Sequence, residues 1–125
     1  MKVIEVNAGT LNPLNALRDW GATEYVCRCL LIETGAGVVA VDTGIGLRDI
    51  AEPNSRLGQD WLDLARPSLD PAETLVNRVR EMGHHPTDVS DILLTHQHRD
   101  HIGGLADFPH AIVHALPTLR AAVRD

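Results

Sequence analysis

Apolar residues fall in short runs along the first third of the chain and at helical spacing in the middle. Residues 2–7 alternate well enough to predict a strand, and Asn7, Gly9, Asn12 and Pro13 then predict a break, with a short helix around 14–20. The runs at 25–33 and 38–41 flank Thr34-Gly35-Ala36-Gly37, a separation and composition that predict a hairpin. From Gly44 to Leu64 the pattern is a long excursion, with Pro53-Asn54-Ser55 as a turn and 56–64 partly helical. Leu57, Trp61, Leu62 and Leu64 there predict an apolar cover over the sheet edge; a wall for a substrate is the alternative, and Arg56 and Arg66 are expected in solvent. The strongest helix signal covers 71–82. Asp70 is a good N-cap, Pro71 suits the first helical position, Glu73 completes a capping box and Gly83 is a stop. Its stripe is Ala72, Leu75, Val76, Val79 and Met82, which leaves Arg78, Arg80 and Glu81 outward. A strand over 91–95, a turn or short helix over 105–108, a strand over 111–114 and a terminal helix over 117–123 complete the reading.

Composition narrows the class. A chain of 125 residues with 44% hydrophobic content suits one small domain, 1–125, and is too short for two. The apolar runs are shorter than a membrane span, and Met1-Lys2-Val3-Ile4-Glu5-Val6 lacks the basic-then-apolar pattern of a secretory leader, so the expected location is cytoplasmic, with no membrane partner. A formal charge of -6 argues against nucleic acid as a partner, because backbone binding needs clustered Lys and Arg. Cys27 and Cys29 project from one face of a strand, where a disulfide between them would be strained; the expectation is two buried thiols in a reducing compartment. A soft metal site there would need two further ligands that the sequence does not place.

Candidate chemistry concentrates after the run Ile92-Leu93-Leu94, in Thr95-His96-Gln97-His98-Arg99-Asp100-His101-Ile102-Gly103-Gly104. Imidazole and carboxylate are donors that zinc and other divalent first-row ions accept. On an extended chain residues two apart point the same way, so His96 and His98 can share one ion. Asp100 and His101 diverge from that pair and are better placed to serve a second, so the pattern is a binuclear site begun but not finished. The glycines at 103 and 104 let the backbone pass close to a crowded site. His84 and His85 follow the helix stop and predict a surface loop, while His110 and His114 belong to the segment of the next strand.

The six-residue run from His96 to His101 resembles the His-x-His-x-Asp-His signature of the metallo-β-lactamase fold superfamily of metal-dependent hydrolases. Val38-Val39-Ala40-Val41-Asp42-Thr43-Gly44 is similar to a second element of that family, a strand ending in aspartate and glycine. The context looks most like the lactonase-type and general hydrolase branches. The resemblance covers nearly all of this chain but only the amino-terminal part of the family's domain. It implies an α/β fold, the first portion of an αββα sandwich in which helices cover a mixed sheet, and it implies two Zn²⁺ ions, with Fe or Mn as alternatives, held by His96, His98, Asp100 and His101. Asp42 takes the role of fixing loop geometry by accepting hydrogen bonds. Asp100 is the expected catalytic group, orienting a water or accepting its proton. The implied reaction is attack of a metal-bound hydroxide on an ester-like carbonyl of a small molecule, such as a lactone or thioester. The family's third histidine, bridging aspartate and last histidine have no counterpart in these residues. A truncated product, a homo-oligomer or a chain that pairs with a complementing second half is therefore expected, since the sheet's inner face would otherwise expose Val, Ile and Leu. Two other readings stay open: an iron-dependent oxidoreductase with the same first ligands, and a non-catalytic fragment with too few donors per ion.

Overall fold

The computed structural model describes residues 1–13 and 24–116. Lys2–Leu11 (β1), Tyr25–Thr34 (β2), Gly37–Val41 (β3), Val89–Leu93 (β4) and Ile112–His114 (β5) form one sheet in the order β1-β2-β3-β4-β5. The first three strands are antiparallel, whereas β3 to β4 and β4 to β5 are parallel. Each parallel step needs a crossover. The first is made by the helices Leu47–Ala51 (α1), Pro53–Leu57 (α2), Gln59–Ala65 (α3) and Leu75–Glu81 (α4), and the second by Arg99–Ile102 (α5) and the 3-10 turn Gly103–Asp107. This is the mixed sheet with helices that the family resemblance implies. The helix expected over 117–123 and the one around 14–20 lie outside the described residues.

The hairpin β2–β3 turns through Gly35 and Ala36, with Thr34 paired to Gly37. β1 is longer than expected. The turn-forming residues Asn7 to Thr10 make a bulge instead of a break: the register shifts there, Gly9 takes φ 147°, and the Asn7 side chain accepts from Gly9 N (2.8 Å) and donates to Thr10 Oγ1 (2.9 Å).

Cys29, Leu31, Val38, Ala40, Val89 and Ile92 line one face of the sheet, buried under Leu75, Val76 and Val79 of α4 and under Phe108. Cys27 lies on the same face and joins Ile45 and Leu57, against which Trp61 and Leu62 pack. The inward cover expected of the 57–64 segment thus holds for three of its four residues; Leu64 is 55% exposed. Both thiols are free and buried. Burial pushes the Cys27 thiol up to about 12 and raises that of Cys29 as well.

Several local expectations are corrected. Pro53-Asn54-Ser55 begins a helix, with Pro53 at the first position where its missing N–H costs nothing. Arg56 is not simply solvated, because its Nε donates to the buried Asp49 at 2.7 Å. The helix read over 71–82 divides into a 3-10 turn, Pro71–Glu73, and α4, since Thr74 at ψ 147° interrupts it. Asp70 does cap the turn through Ala72 N (3.0 Å), but the Glu73 carboxylate is drawn away from the backbone at the turn's own start by Thr10 and Ser68. Ala72 is exposed as a result, and Arg78 reaches back to the carbonyl of Asn7 (2.9 Å). Strand β4 ends at Leu93, not Thr95: Leu94 N still donates to His114 O (3.0 Å), after which the chain leaves the sheet for Asp42.

The opposite face of the sheet carries apolar rows that face outward, with Glu5, Arg28, Asp91 and His114 among them. Val3 is 55%, Val26 40%, Leu93 42% and Ile112 62% exposed, and Leu30, Ile32, Val39 and Val41 between them are only half-buried.

Candidate metal centre

The cluster hangs from the carboxyl end of β4, where residues 95–98 are irregular and α5 follows with His98 as its N-cap. Asp42 directly follows neighbouring β3, and the two strand ends are tied together. Asp42 N donates to Leu93 O (2.8 Å), while its buried carboxylate accepts from Thr95 N (2.9 Å) and Thr95 Oγ1 (2.6 Å). His101 Nδ1 lies 3.0 Å from the same carboxylate. A carboxylate only accepts, so this bond places a ring proton on Nδ1 and leaves Nε2 as the nitrogen whose lone pair can take a metal. Thr95 Oγ1, having donated to Asp42, can accept from His96 Nδ1 at 2.9 Å. One aspartate therefore orients two imidazoles, His101 directly and His96 through a hydroxyl.

Electrostatics follow from these contacts. Burial alone would push the Asp42 carboxyl up, but the hydrogen bonds from His101 and Thr95 outweigh it and hold it below the usual range. The Asp42 hydrogen bond raises His101 against the opposing effect of burial, with Asp100 adding to the rise. Asp100 Oδ2 is 3.6 Å from His101 Nε2.

The three imidazoles gather. Ring centroids are 3.7 Å apart for His96 and His101, 4.9 Å for His96 and His98, and 6.5 Å for His98 and His101. The nearest pair is therefore His96 with His101, rather than the His96 and His98 pair that an extended chain suggests, because α5 begins at Arg99 and folds His101 back. Among the described residues no three His, Cys, Asp or Glu groups stand closed around a common centre. The donor chemistry nonetheless fits a divalent cation: three imidazoles, two with Nε2 freed by a bond at Nδ1, beside one carboxylate. The remaining histidines are engaged elsewhere: His84 Nε2 with Glu33 (2.9 Å), His85 Nδ1 with Thr87, and His114 Nε2 with Asp91 (2.7 Å), while His110 is exposed in a turn.

Beneath the cluster, backbone packs on backbone. Thr43 N and Oγ1 both donate to His101 O at 2.8 Å, and Gly104 N donates to Thr43 Oγ1 at 3.0 Å. A Cβ at Gly46 would overlap the Gly103 carbonyl, so the two glycine-bearing segments can touch only without side chains. Thr43 and Gly46 are positioning residues that the sequence reading missed; the signal was the pair of glycine-rich stretches, 43–46 and 103–104.

The sequence profile of the metallo-beta-lactamase superfamily matches residues 22–118. The chain belongs to that superfamily. A probable metallo-hydrolase of Mycobacterium tuberculosis is 40% identical over 114 residues, covering 91% of this superfamily member and 34% of the relative. An N-acyl homoserine lactonase of Agrobacterium fabrum is 31% identical over 81 residues, 65% of this chain and 30% of the lactonase. A solved N-acyl homoserine lactone hydrolase, with the product N-hexanoyl-L-homoserine at its catalytic metal center, is 25% identical and superposes with a TM-score of 0.66 over 90% of this chain and 47% of that one. This superfamily chain thus has the fold of the amino-terminal part of such enzymes and spans about a third of the length of the curated relatives it matches. No helix among its described residues is long and apolar enough to cross a membrane.

Proposed function

We propose that these residues carry the first ligands of a zinc hydrolase that opens an ester-like carbonyl, a lactone or thioester foremost. The observation that carries the reading is the Asp42 anchor, which fixes the proton of His101 at Nδ1 and, through Thr95, that of His96. Such fixing has little purpose for solvated loop histidines and is what a metal-binding imidazole needs. His96, His98, Asp100 and His101 would hold the metal. When bound, a divalent ion lowers the pKa of water from its bulk value toward about 7 and draws charge from a carbonyl oxygen.

The chain's own groups do the rest. Asp42 holds the His101 ring proton at Nδ1, which makes Nε2 the more basic, metal-facing nitrogen, and the anionic state of Asp42 is secured by the same hydrogen bonds. Asp100, half-buried beside His101, is the group placed to orient a water or take up its proton. Thr43 holds the His101 backbone against β3, so that ring position is set by the sheet and not by the loop. Two donors per ion fall short of the roughly three that catalytic zinc usually takes. Further donors must then come from polypeptide beyond these residues, and the exposed apolar sheet face is a fitting seat for it. The similarity to N-acyl homoserine lactonases supports a small-molecule substrate.

The test is metal content and turnover of the full-length protein. Stoichiometric zinc, hydrolysis within a panel of lactones and thioesters, loss of both with a chelator and loss of both in His98→Ala are the expected results. Bound iron with redox activity, or tight zinc with no turnover across the panel, would overturn the reading.

A further inference from the structure

A cleft of about 430 Å³ opens beside the cluster, lined by Trp61, Gln97, His98, Arg99 and Asp100. Its lining residues differ in chemistry. Trp61 is half-buried and fixed by packing against the Cys27, Ile45 and Leu57 group, so it offers a rigid apolar surface. Arg99, which lines the same cleft, is exposed, and its guanidinium makes no hydrogen bond or ion pair among the described residues. The carboxylates nearby are already engaged. Asp49, which lines with Arg99 a second cavity of about 220 Å³ behind α5, accepts from Arg56 (2.7 Å) and from Gly46 N (2.9 Å). Asp107 accepts from Leu47 N (3.1 Å), and Asp100 faces His101. Arg99 is therefore a fixed-charge fork adjoining the reacting residues with its donors uncommitted.

We infer that Arg99 is a specificity residue that takes the carboxylate of an anionic substrate, an ester-like molecule with an apolar body that packs on Trp61 and a carboxylate that reaches Arg99. A guanidinium presents parallel N–H groups that match the two oxygens of a carboxylate, which gives orientation as well as attraction. The short link from Arg99 to its neighbours His98 and Asp100 then sets how far the reacting carbonyl lies from the anion. The inference rests on the hydrolase reading only for the identity of the reacting group; the anion site itself does not.

The test uses the full-length, zinc-loaded protein and two matched lactone or thioester substrates, one carrying a carboxylate and one carrying its neutral primary amide. Wild type is expected to favour the carboxylate by about tenfold in kcat/KM, the size of one charge-assisted hydrogen-bonded contact. Arg99→Gln should erase that preference, chiefly through KM, and leave the neutral substrate within about twofold, while Arg99→Lys recovers part of it. In parallel, the hydrolysis products of both substrates are titrated calorimetrically against wild type and Arg99→Gln, with about tenfold weaker binding in the variant expected only for the product that keeps the additional carboxylate. Equal treatment of both substrates by wild type, or equal losses on both in Arg99→Gln, overturns the inference and leaves the hydrolase reading standing. Failure to hydrolyse either substrate, with product binding still dependent on Arg99, does the reverse. Neither turnover nor Arg99-dependent binding overturns both.

Discussion

Asp42 holds φ 62°, a left-handed conformation that non-glycine residues adopt at a cost, and its neighbours on every side depend on it. Asparagine tolerates that backbone and alanine does not, so two variants separate geometry from charge. Asp42→Ala removes the acceptor for Thr95 and His101 from a buried position and should lower the unfolding free energy by about 2–4 kcal/mol. Asp42→Asn should cost less, but it offers an N–H₂ group where His101 now donates, and the ring should switch its proton to Nε2. Nitrogen chemical shifts of the labelled histidine report the tautomer, and zinc affinity should fall about 10–100-fold with it. An unchanged tautomer in Asp42→Asn would remove the ground for treating Asp42 as the organiser. At Cys27 and Cys29 the expected outcome is inertness. With the Cys27 thiol pushed up to about 12 by burial and Cys29 raised too, neither carries appreciable thiolate at pH 8. Mass spectrometry after iodoacetamide should find the native protein unlabelled and the denatured protein doubly labelled; rapid native labelling would show that the face they occupy opens.

What holds α4 and the ligand loop in place is contact between segments far apart in the chain. The Glu73 carboxylate joins Thr10 N, Thr10 Oγ1 and Ser68 Oγ, and Asn7 Nδ2 adds a bond at 3.0 Å. Burial pushes this carboxyl up, but the hydrogen bonds from Ser68 and Thr10, with Arg78, bring it below its ordinary value. A carboxyl depressed in the folded state stabilises fully above its unfolded pKa, near 4.3, and loses that contribution as pH falls through the folded value. Glu73→Gln should therefore be about 1 kcal/mol less stable than wild type at pH 7, with the gap closing in acid, as urea melts at pH 7 and below pH 4 will show. A gap independent of pH would mean that the charge is irrelevant. Gly46→Ala should lower stability by more, about 2–4 kcal/mol, since its Cβ meets the Gly103 carbonyl and the loop cannot retreat without breaking the Thr43 clamp. These contacts also explain what could be read from sequence. The hairpin, the α4 stripe and the ligand cluster are local patterns, set by residue type within a few positions, and they were legible. Glu73 was misread because a capping box and a tertiary acceptor look alike until Thr10, 63 positions away, is brought alongside. The Asp42 to Thr95 tie spans 53 positions, and Gly46 against Gly103 is a backbone contact with no side chain to announce it. Arg56 was misread for a similar reason, its partner Asp49 being buried by helices that pattern alone did not separate.

At the scale of the whole molecule, all of the described core lies on one side of the sheet, the other side exposes apolar rows, and the chain as a whole is strongly negative. Val3, Leu93 and Ile112 project from that outer face on β1, β4 and β5, three of the five strands, so no single contact relieves it. Apolar area of this kind drives association, while the net charge of -6 keeps copies apart at low ionic strength. The two effects respond oppositely to salt. Screening shortens the reach of the repulsion from about 30 Å at 0.01 M to about 8 Å at 0.15 M, and apolar attraction is untouched or strengthened. Sedimentation of this 125-residue chain should therefore show self-association that grows with protein concentration and with salt. Leu93→Lys together with Ile112→Lys tests which surface is responsible. The pair reduces net charge to -4, which by charge alone should favour association, so a shift toward monomer can come only from the lost apolar face. Both side chains are already 42% and 62% exposed, so the melting temperature should change little. Association that persists unchanged in the double variant would place the sticky surface elsewhere and remove the argument that further polypeptide packs on this face.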